Sequence, residues 1–154
     1  KDNAGHHLIT DPGYQEQFIQ YLERVARTGA DAIEVWNEPN LDREWPADQM
    51  GGAQYTALLQ KAYPRIKSAN ANTMVVSAAL SPTGAFGGSC GSIGSVYGCD
   101  DKPFLQAMVN AGALNYLDCV GMHYNEGLLG KRGSNGRYQN LEGCDCHYLS
   151  LHRY

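Results

Sequence analysis

The sequence predicts an α/β protein built from parallel βα repeats, and two observations support this. Amphipathic helical segments alternate with short apolar segments, in the order helix, strand, helix, strand, helix, strand. The centres of the predicted strands, Ile33, Val75 and Val120, are separated by nearly equal lengths of chain. Strands joined through helices in this way pair in parallel.

The first two predicted helices are recognised by apolar residues spaced three and four apart. The first follows Asp11, a suitable N-cap, and ends at Gly29. The second runs to about Ala69 and contains Pro64, which is expected to kink it or force a late restart. The first strand, "DAIEVW", lies between these helices.

The later elements follow the same alternation. The second strand, "TMVVSAAL", is nearly continuously apolar, as expected for a strand covered on both faces. The third helix begins at Asp100 or Asp101 and ends at Gly112. The third strand is "LDCVGMHY". The 154 residues, 43% of them apolar, suffice for one domain with its own core.

Charge and hydropathy argue against two classes of partner. The net charge is −4, from 12 basic and 16 acidic residues, and no basic run or face is present, so nucleic acid is not expected. No segment reaches the roughly 18 apolar residues of a membrane span. The chain starts at Lys1 without a signal-peptide core, which fits a mature or excised piece of a longer protein.

Five cysteines cannot all form internal disulfides. Cys90 and Cys99 bracket a Gly/Ser-rich segment, "CGSIGSVYGC", which is expected to be a flexible surface loop. These two cysteines either form a disulfide or are free thiols. Cys119 lies in an apolar run and is interpreted as a small core residue.

Two glycine- or cysteine-rich motifs predict no ligand. Cys144, Cys146 and His147 form "CDCH", but a closed zinc site needs four ligands and no second cluster has a suitable spacing, so we predict no metal. The segment "GAFGGSCGSIG" lacks the spacing of a phosphate-binding loop. We therefore predict no cofactor.

Polar residues follow each predicted strand. They are Asn37 and Glu38, then Ser81 and Thr83, then His123, Tyr124 and Asn125. Because the carboxyl ends of parallel strands meet at one edge of a sheet, these side chains should face a common rim, where such folds place their chemistry.

Glu38 is the strongest catalytic candidate at this rim. A glutamate at a strand end is usually a solvated carboxylate, but strand alternation places Glu38 on the same side as Trp36 and Glu34. An aromatic wall would desolvate the carboxyl group and favour its protonated form. Glycosidic cleavage needs such an acid to protonate the leaving oxygen. Asn37 can bind a sugar hydroxyl, and Trp36 and Trp45 fit stacking on sugar rings.

The motif "EVWNEPNL" followed by Trp45 resembles the fourth strand and loop of clan A retaining glycoside hydrolases. The similarity is closest to family 39, which includes β-xylosidases and endo-acting glycosidases of bacterial exopolysaccharide. "YTALLQKAYPRIKSANANTMVVSAALSPTG" is similar to that family's fourth helix and fifth strand. "FLQAMVNAGALNYLDCVGMHYNEG" is similar to the fifth helix and sixth strand. The resemblance covers about Tyr14 to Gly127.

The resemblance implies a partial TIM (β/α)8 barrel with about three strands, since the complete barrel needs about 250 residues. It also implies hydrolysis of a β-linked polysaccharide or oligosaccharide by a retaining mechanism. Glu38 would be the general acid/base, Asn37 would contact the hydroxyl next to the anomeric carbon, and His123 and Tyr124 would line the subsites. From the residues alone, His123 fits a subsite residue and a hydrogen-bonded core histidine equally well. The family's nucleophilic glutamate lies on the seventh strand, which the chain lacks. Glu126 is a weak substitute.

We expect one partial barrel domain over residues 1–154, with an irregular C-terminal segment at 128–154. Open sheet edges predict association with a second copy or with the missing part of the barrel. A polysaccharide substrate and a possible disulfide favour a secreted, extracellular or periplasmic protein. The alternative to an enzyme is a noncatalytic sugar-binding or assembly fragment.

Overall fold

The computed structural model describes residues 8–123. Several predicted features lie outside the described residues. They are Tyr124, Glu126, the motif formed by Cys144, Cys146 and His147, and the irregular segment expected at 128–154.

The described residues form a mixed α/β structure, as the sequence predicts. The elements in chain order are α1 (Pro12–Arg27), β1 (Ala32–Val35), α2 (Gly52–Ala69), β2 (Met74–Ser77), β3 (Cys90–Ile93), β4 (Val96–Cys99) and α3 (Asp101–Asn110). Short 3-10 turns cover Ala47–Gln49 and Ala113–Asn115.

The predicted helix boundaries are confirmed. The Asp11 carboxylate accepts a hydrogen bond from the Tyr14 amide at 2.8 Å and caps α1. Gly112 has φ 81° just beyond α3, a left-handed conformation that glycine adopts without strain. Helix α2 is continuous across Pro64, so the late restart expected there does not occur.

The parallel pairing predicted for the strands is present. Strands β1 and β2 are parallel, with Ile33 opposite Val75. The third predicted strand lies on the other side of β2 and is joined to it by two isolated parallel bridges, Val76 with Cys119 and Leu80 with Met122. The segment therefore has the expected direction and position without forming a continuous strand. The Cys119 side chain is partly buried.

One face of the β1–β2 sheet carries the core. Ile33, Val35 and Val75 are buried and pack in one cluster with apolar residues of the three helices. Residues at the alternate positions, such as Glu34 and Met74, are exposed on the opposite face. Among the described residues, helices cover only this face of the sheet, which corrects the expectation that β2 is covered on both faces.

Tyr55 of α2 ties the carboxyl ends of the two strands together. Its buried hydroxyl donates to the Val35 carbonyl and accepts from the Ala78 amide, both at 2.6 Å. Burial raises the pKa of Tyr55, so the phenol keeps its proton.

The Gly/Ser-rich segment is a β-hairpin, and the expectation of a flexible loop is wrong. Strands β3 and β4 pair in antiparallel fashion with Cys90 opposite Cys99, and a disulfide joins these two residues. Of the two alternatives that the sequence leaves open, the structure therefore contains the disulfide. Within residues 8–123, no helix combines the length and the hydropathy that crossing a bilayer requires.

Candidate functional site

The candidate site begins where β1 ends. Beyond Val35 the backbone leaves the strand conformation, because Trp36 has φ 77° and Glu38 has φ 39°. Positive φ is uncommon for residues other than glycine and is concentrated at functional sites. The Glu38 amide donates to the Ala79 carbonyl at 3.0 Å, which fixes this turn against the chain that follows β2.

The Glu38 side chain is 3% exposed and meets two groups. Its Oε1 lies 2.8 Å from Nδ1 of His123, and its Oε2 forms an ion pair with the Arg43 guanidinium. The structure therefore brings two predicted rim residues, Glu38 and His123, into contact across three parallel segments.

The aromatic wall expected for Glu38 is not what surrounds its carboxylate. Strand alternation stops at Val35, so Trp36 turns toward helix α1, where its ring centroid lies 5.2 Å from that of Phe18 in an edge-to-face arrangement. Trp36 Nε1 also donates to the Glu44 carbonyl at 3.2 Å. The groups bonded to Glu38 are instead an imidazole and a guanidinium.

Asn40 organises the site loop, which we define as residues 36–45. Its side chain is fully buried and makes three hydrogen bonds: it donates to the Ser81 and Cys99 carbonyls and accepts from the Ser81 amide. These bonds join the site loop to the end of the second parallel strand and to the hairpin. Since an unpaired buried polar group is costly, the loop conformation is strongly specified.

The hairpin adds a second set of bonds to the site loop. The Asp42 amide donates to the Tyr97 carbonyl at 3.0 Å, and the Tyr97 amide donates to the Asp42 carboxylate at 2.7 Å. Leu41 and Gly98 form an antiparallel bridge beside them. Thr83, another predicted rim residue, donates to the Cys99 carbonyl at 3.0 Å.

The other predicted site residues are placed differently. Asn37, next to Glu38, is exposed, so its side chain is accessible to a ligand. Trp45 is 1% exposed, packs edge-to-face on Tyr55 and donates from Nε1 to the Gln49 carbonyl, so it lies in the core and away from the rim surface. Tyr124 lies outside the described residues.

Sequence reasoning missed Arg43 and Asn40. Arg43 follows the motif closely enough to fold back on Glu38, but its side chain is 61% exposed and the sequence holds no sign of the pairing. Asn40 follows proline in a turn, where an asparagine is ordinarily solvated. The repetition of asparagine on both sides of Glu38 and Pro39 was the available signal.

No group of three or more histidine, cysteine, aspartate or glutamate side chains in residues 8–123 is arranged to hold a metal ion. Comparisons with protein-family models, with curated proteins and with solved structures found no match for this chain.

Proposed function

We propose that the chain is part of a retaining glycoside hydrolase that acts on β-linked polysaccharide or oligosaccharide, with Glu38 as the general acid/base. The observation that supports this most is the pairing of a buried Glu38 carboxylate with His123 at the carboxyl ends of parallel strands. Active sites of parallel βα folds lie at this rim. A buried carboxyl group that can exchange a proton suits both steps of a retaining mechanism.

In the proposed reaction, Glu38 first gives its proton to the glycosidic oxygen while a glutamate carboxylate attacks the anomeric carbon and displaces the leaving group. Glu38, now ionised, then takes a proton from the water that breaks the glycosyl–enzyme bond. Arg43 and His123 both contact Glu38 and would stabilise its ionised form between the two steps. Asn37, exposed beside Glu38, would bind the neighbouring hydroxyl group.

The attacking glutamate has no counterpart among the described residues. The remaining glutamates at 8–123 lie on α1, within β1 or in the site loop, rather than at the end of a second strand. The proposal therefore takes the nucleophile from another part of a barrel, in which β1, β2 and the bridged segment at 119–122 would be the fourth to sixth strands. The helix-free face of the sheet would be the barrel interior.

The same features support association and secretion as parts of the proposal. Within residues 8–123, β1 pairs only with β2 and leaves its other edge without a partner strand. An unprotected edge and an uncovered face favour binding of a second copy or of the missing part of the barrel. The Cys90–Cys99 disulfide fits an oxidising compartment. Sedimentation equilibrium that finds a folded monomer would contradict the association.

The decisive experiment measures release of reducing ends from a panel of β-linked polysaccharides by the wild-type chain and by Glu38→Gln. Turnover by the wild-type chain requires a nucleophilic glutamate from outside residues 8–123 or from an associated copy. Because glutamine keeps the shape of the Glu38 side chain and removes its acid, the proposal expects this turnover to fall by at least about 100-fold in Glu38→Gln. Circular dichroism of both proteins controls for misfolding. Equal turnover by the two proteins would refute the role of Glu38.

A noncatalytic sugar-binding fragment is the second candidate, and it is favoured because residues 8–123 hold no glutamate at the end of a second strand. In that case β-linked oligosaccharides bind with measurable heat in a calorimetric titration, and neither protein releases reducing ends. Binding that persists in Glu38→Gln without any turnover by the wild type would decide for this candidate.

A further inference from the structure

Both oxygens of the Glu38 carboxylate are occupied by other protein groups. Oε1 lies 2.8 Å from Nδ1 of His123, and Oε2 pairs with a terminal guanidinium nitrogen of Arg43. The Glu38 side chain is 3% exposed, so these two groups leave little of it open to solvent. In the proposed reaction, however, a carboxyl oxygen must come within hydrogen-bond reach of the glycosidic oxygen. One of the two contacts therefore has to open before Glu38 can act.

The two partners of Glu38 differ in how firmly they are held. The His123 side chain is 15% exposed, and the His123 amide donates to the Leu80 carbonyl at 3.3 Å. The Arg43 side chain is 61% exposed, and among residues 8–123 its guanidinium bonds only to Glu38. Holding a long, exposed side chain in one geometry costs conformational entropy, whereas moving His123 would disturb the parallel segment that precedes it. Arg43 is therefore the partner that is displaced more easily.

The backbone on either side of Arg43 is fixed. Before it, the Asp42 amide donates to the Tyr97 carbonyl at 3.0 Å, and the Asp42 carboxylate accepts from the Tyr97 amide. After it, the Trp45 amide donates to the Leu41 carbonyl at 3.0 Å, and the Trp45 side chain is buried in the core. None of these contacts involves the Arg43 side chain. Rotation of that side chain about its own bonds thus suffices to open the ion pair while the site loop stays in place.

We propose that Arg43 is a gating residue: its ion pair with Glu38 is the closed state of the site, and the carboxyl group becomes accessible only when the guanidinium moves away. The inference rests on the proposed function and adds a control on the same site. In the open state, Oε2 of Glu38 is uncovered and can carry the proton that the reaction needs. The contact with His123 keeps the carboxyl group oriented meanwhile. Once the product has left and the carboxyl group has lost its proton to solvent, the guanidinium returns.

The test measures how fast a water-soluble carbodiimide, with glycine ethyl ester as the amine, modifies Glu38 at constant pH. The reagent attacks an accessible, protonated carboxyl group, which the proposal assigns to the open state. Because a mostly closed site lowers the apparent rate by the fraction that is open, Glu38 should react at least about five-fold faster in Arg43→Ala than in the wild type. Arg43→Lys keeps a cation that can pair with Glu38 and should react at an intermediate rate. Peptide mass spectrometry gives the rate at each carboxyl group.

Two controls separate gating from a general loosening of the structure. Asp100 is 4% exposed, accepts from two backbone amides of the preceding loop and directly follows the hairpin that the site loop contacts. Its rate should be the same in Arg43→Ala as in the wild type. Arg27→Ala is the matched surface variant, because Arg27 is also 61% exposed and pairs with Glu23 of α1. The rate at Glu38 should be unchanged in that variant.

Salt supplies a readout that a purely structural role of Arg43 would not change. The guanidinium is largely exposed, so added salt screens its attraction to Glu38 and favours the open state. Raising the salt concentration from about 0.05 to about 0.5 M should speed modification of Glu38 in the wild type by about two-fold. Arg43→Ala has no ion pair to screen, so its rate should stay constant.

The outcomes separate this inference from the catalytic proposal, because the labelling needs no sugar. Equal rates at Glu38 in the wild type and in Arg43→Ala overturn the gate, whatever the cleavage assay shows. Faster modification of both Glu38 and Asp100 in Arg43→Ala also overturns it, since Arg43 would then stabilise the site loop. A wild-type rate that is independent of salt does the same. A faster rate at Glu38 alone, with salt dependence only in the wild type, supports the gate even where no polysaccharide is cleaved.

Discussion

Two regions of this molecule are stabilised by different means. The framework, which comprises the three helices with β1 and β2, is held by apolar burial: its helices and strands share one cluster of buried side chains. The site loop and the hairpin each add a residue to that cluster, Trp45 and Cys99, but they are joined to each other by hydrogen bonds of Asn40 and Asp42, and the disulfide closes the hairpin. In this molecule a pattern of apolar residues specifies where the rim lies, whereas polar contacts specify which side chains the rim presents.

Removing a large apolar side chain from the framework should have the greatest effect. Leu58 of α2 is fully buried in the core cluster. Leu58→Ala should lower the free energy of unfolding by about 3 kcal/mol, because it loses transfer energy and leaves a cavity. Urea denaturation measures this loss. The matched control is Leu114→Ala, since Leu114 is 59% exposed and its truncation should cost less than about 0.5 kcal/mol. Similar losses for both variants would contradict a packed framework.

Opening the disulfide should be the next largest change, and it acts on the other region. Cys90 is exposed, so Cys90→Ser removes the link without disturbing the core. For a bond that spans 9 positions, the loop-closure entropy predicts a loss of about 2.5 kcal/mol. Denaturation with and without reductant checks it. Cys119→Ser is the control, because Cys119 is a free thiol and this variant keeps the disulfide. Its difference in unfolding free energy from the wild type should be the same with and without reductant.

Asn40→Ala tests how much the hydrogen bonds of Asn40 stabilise the site loop. The change leaves the buried Ser81 amide and carbonyl without their partner, which should cost about 2 kcal/mol. Asn40→Asp should not restore stability, because aspartate can accept from the Ser81 amide but cannot donate to the carbonyls. Asn37→Ala, three positions earlier and exposed, should leave the urea midpoint unchanged. A midpoint for Asn40→Ala equal to that of wild type would remove the contrast between the two regions.

The framework was predictable from the sequence because its rules are local. Apolar spacing identified all three helices, Asp11 identified the start of α1, and equal spacing of the strands implied parallel order. The placement of Glu38 and His123 on one rim followed from the same order, since parallel strands end at one edge, whereas their direct contact was not predicted. None of these inferences required knowledge of side-chain conformation.

The rim was less predictable because its contacts are distant in sequence. Asn40 bonds to residues 41 and 59 positions away, and no local pattern encodes that. The hairpin at 90–99 is rich in glycine and serine, which disfavour strands, and it forms with the disulfide and the bonds to the site loop. The ion pair of Arg43 with Glu38 depends on the conformation of the Arg43 side chain, which a sequence pattern does not specify.

Asp118 supplies an electrostatic contribution to the framework, at the start of the bridged segment. Its carboxylate accepts from the Val75 amide at 2.8 Å and forms an ion pair with Lys67. Desolvation by burial raises its pKa, but the hydrogen bonds from Lys67, Val75 and Tyr63 and the charge of Lys67 together outweigh this and hold the pKa of Asp118 below its usual value of 3.8. Asp118→Asn should therefore cost about 1 kcal/mol at neutral pH, less than the variants above.

The pH dependence of that loss shows whether the ionised Asp118 carboxylate stabilises the fold. A carboxyl group whose pKa is lowered in the folded state stabilises the fold above its unfolded value and loses this contribution as pH falls through the lowered value. The electrostatic part of the difference between wild type and Asp118→Asn should thus be constant at neutral pH, shrink below about pH 3.8 and vanish in stronger acid. Urea titrations at several pH values measure it, with Asp31→Asn as an exposed control. A difference independent of pH would mean that neutral hydrogen bonds, and not a charge, account for the contribution of Asp118. The framework would then be held at this end by the same kind of contact as the rim, which would weaken the contrast between the two regions.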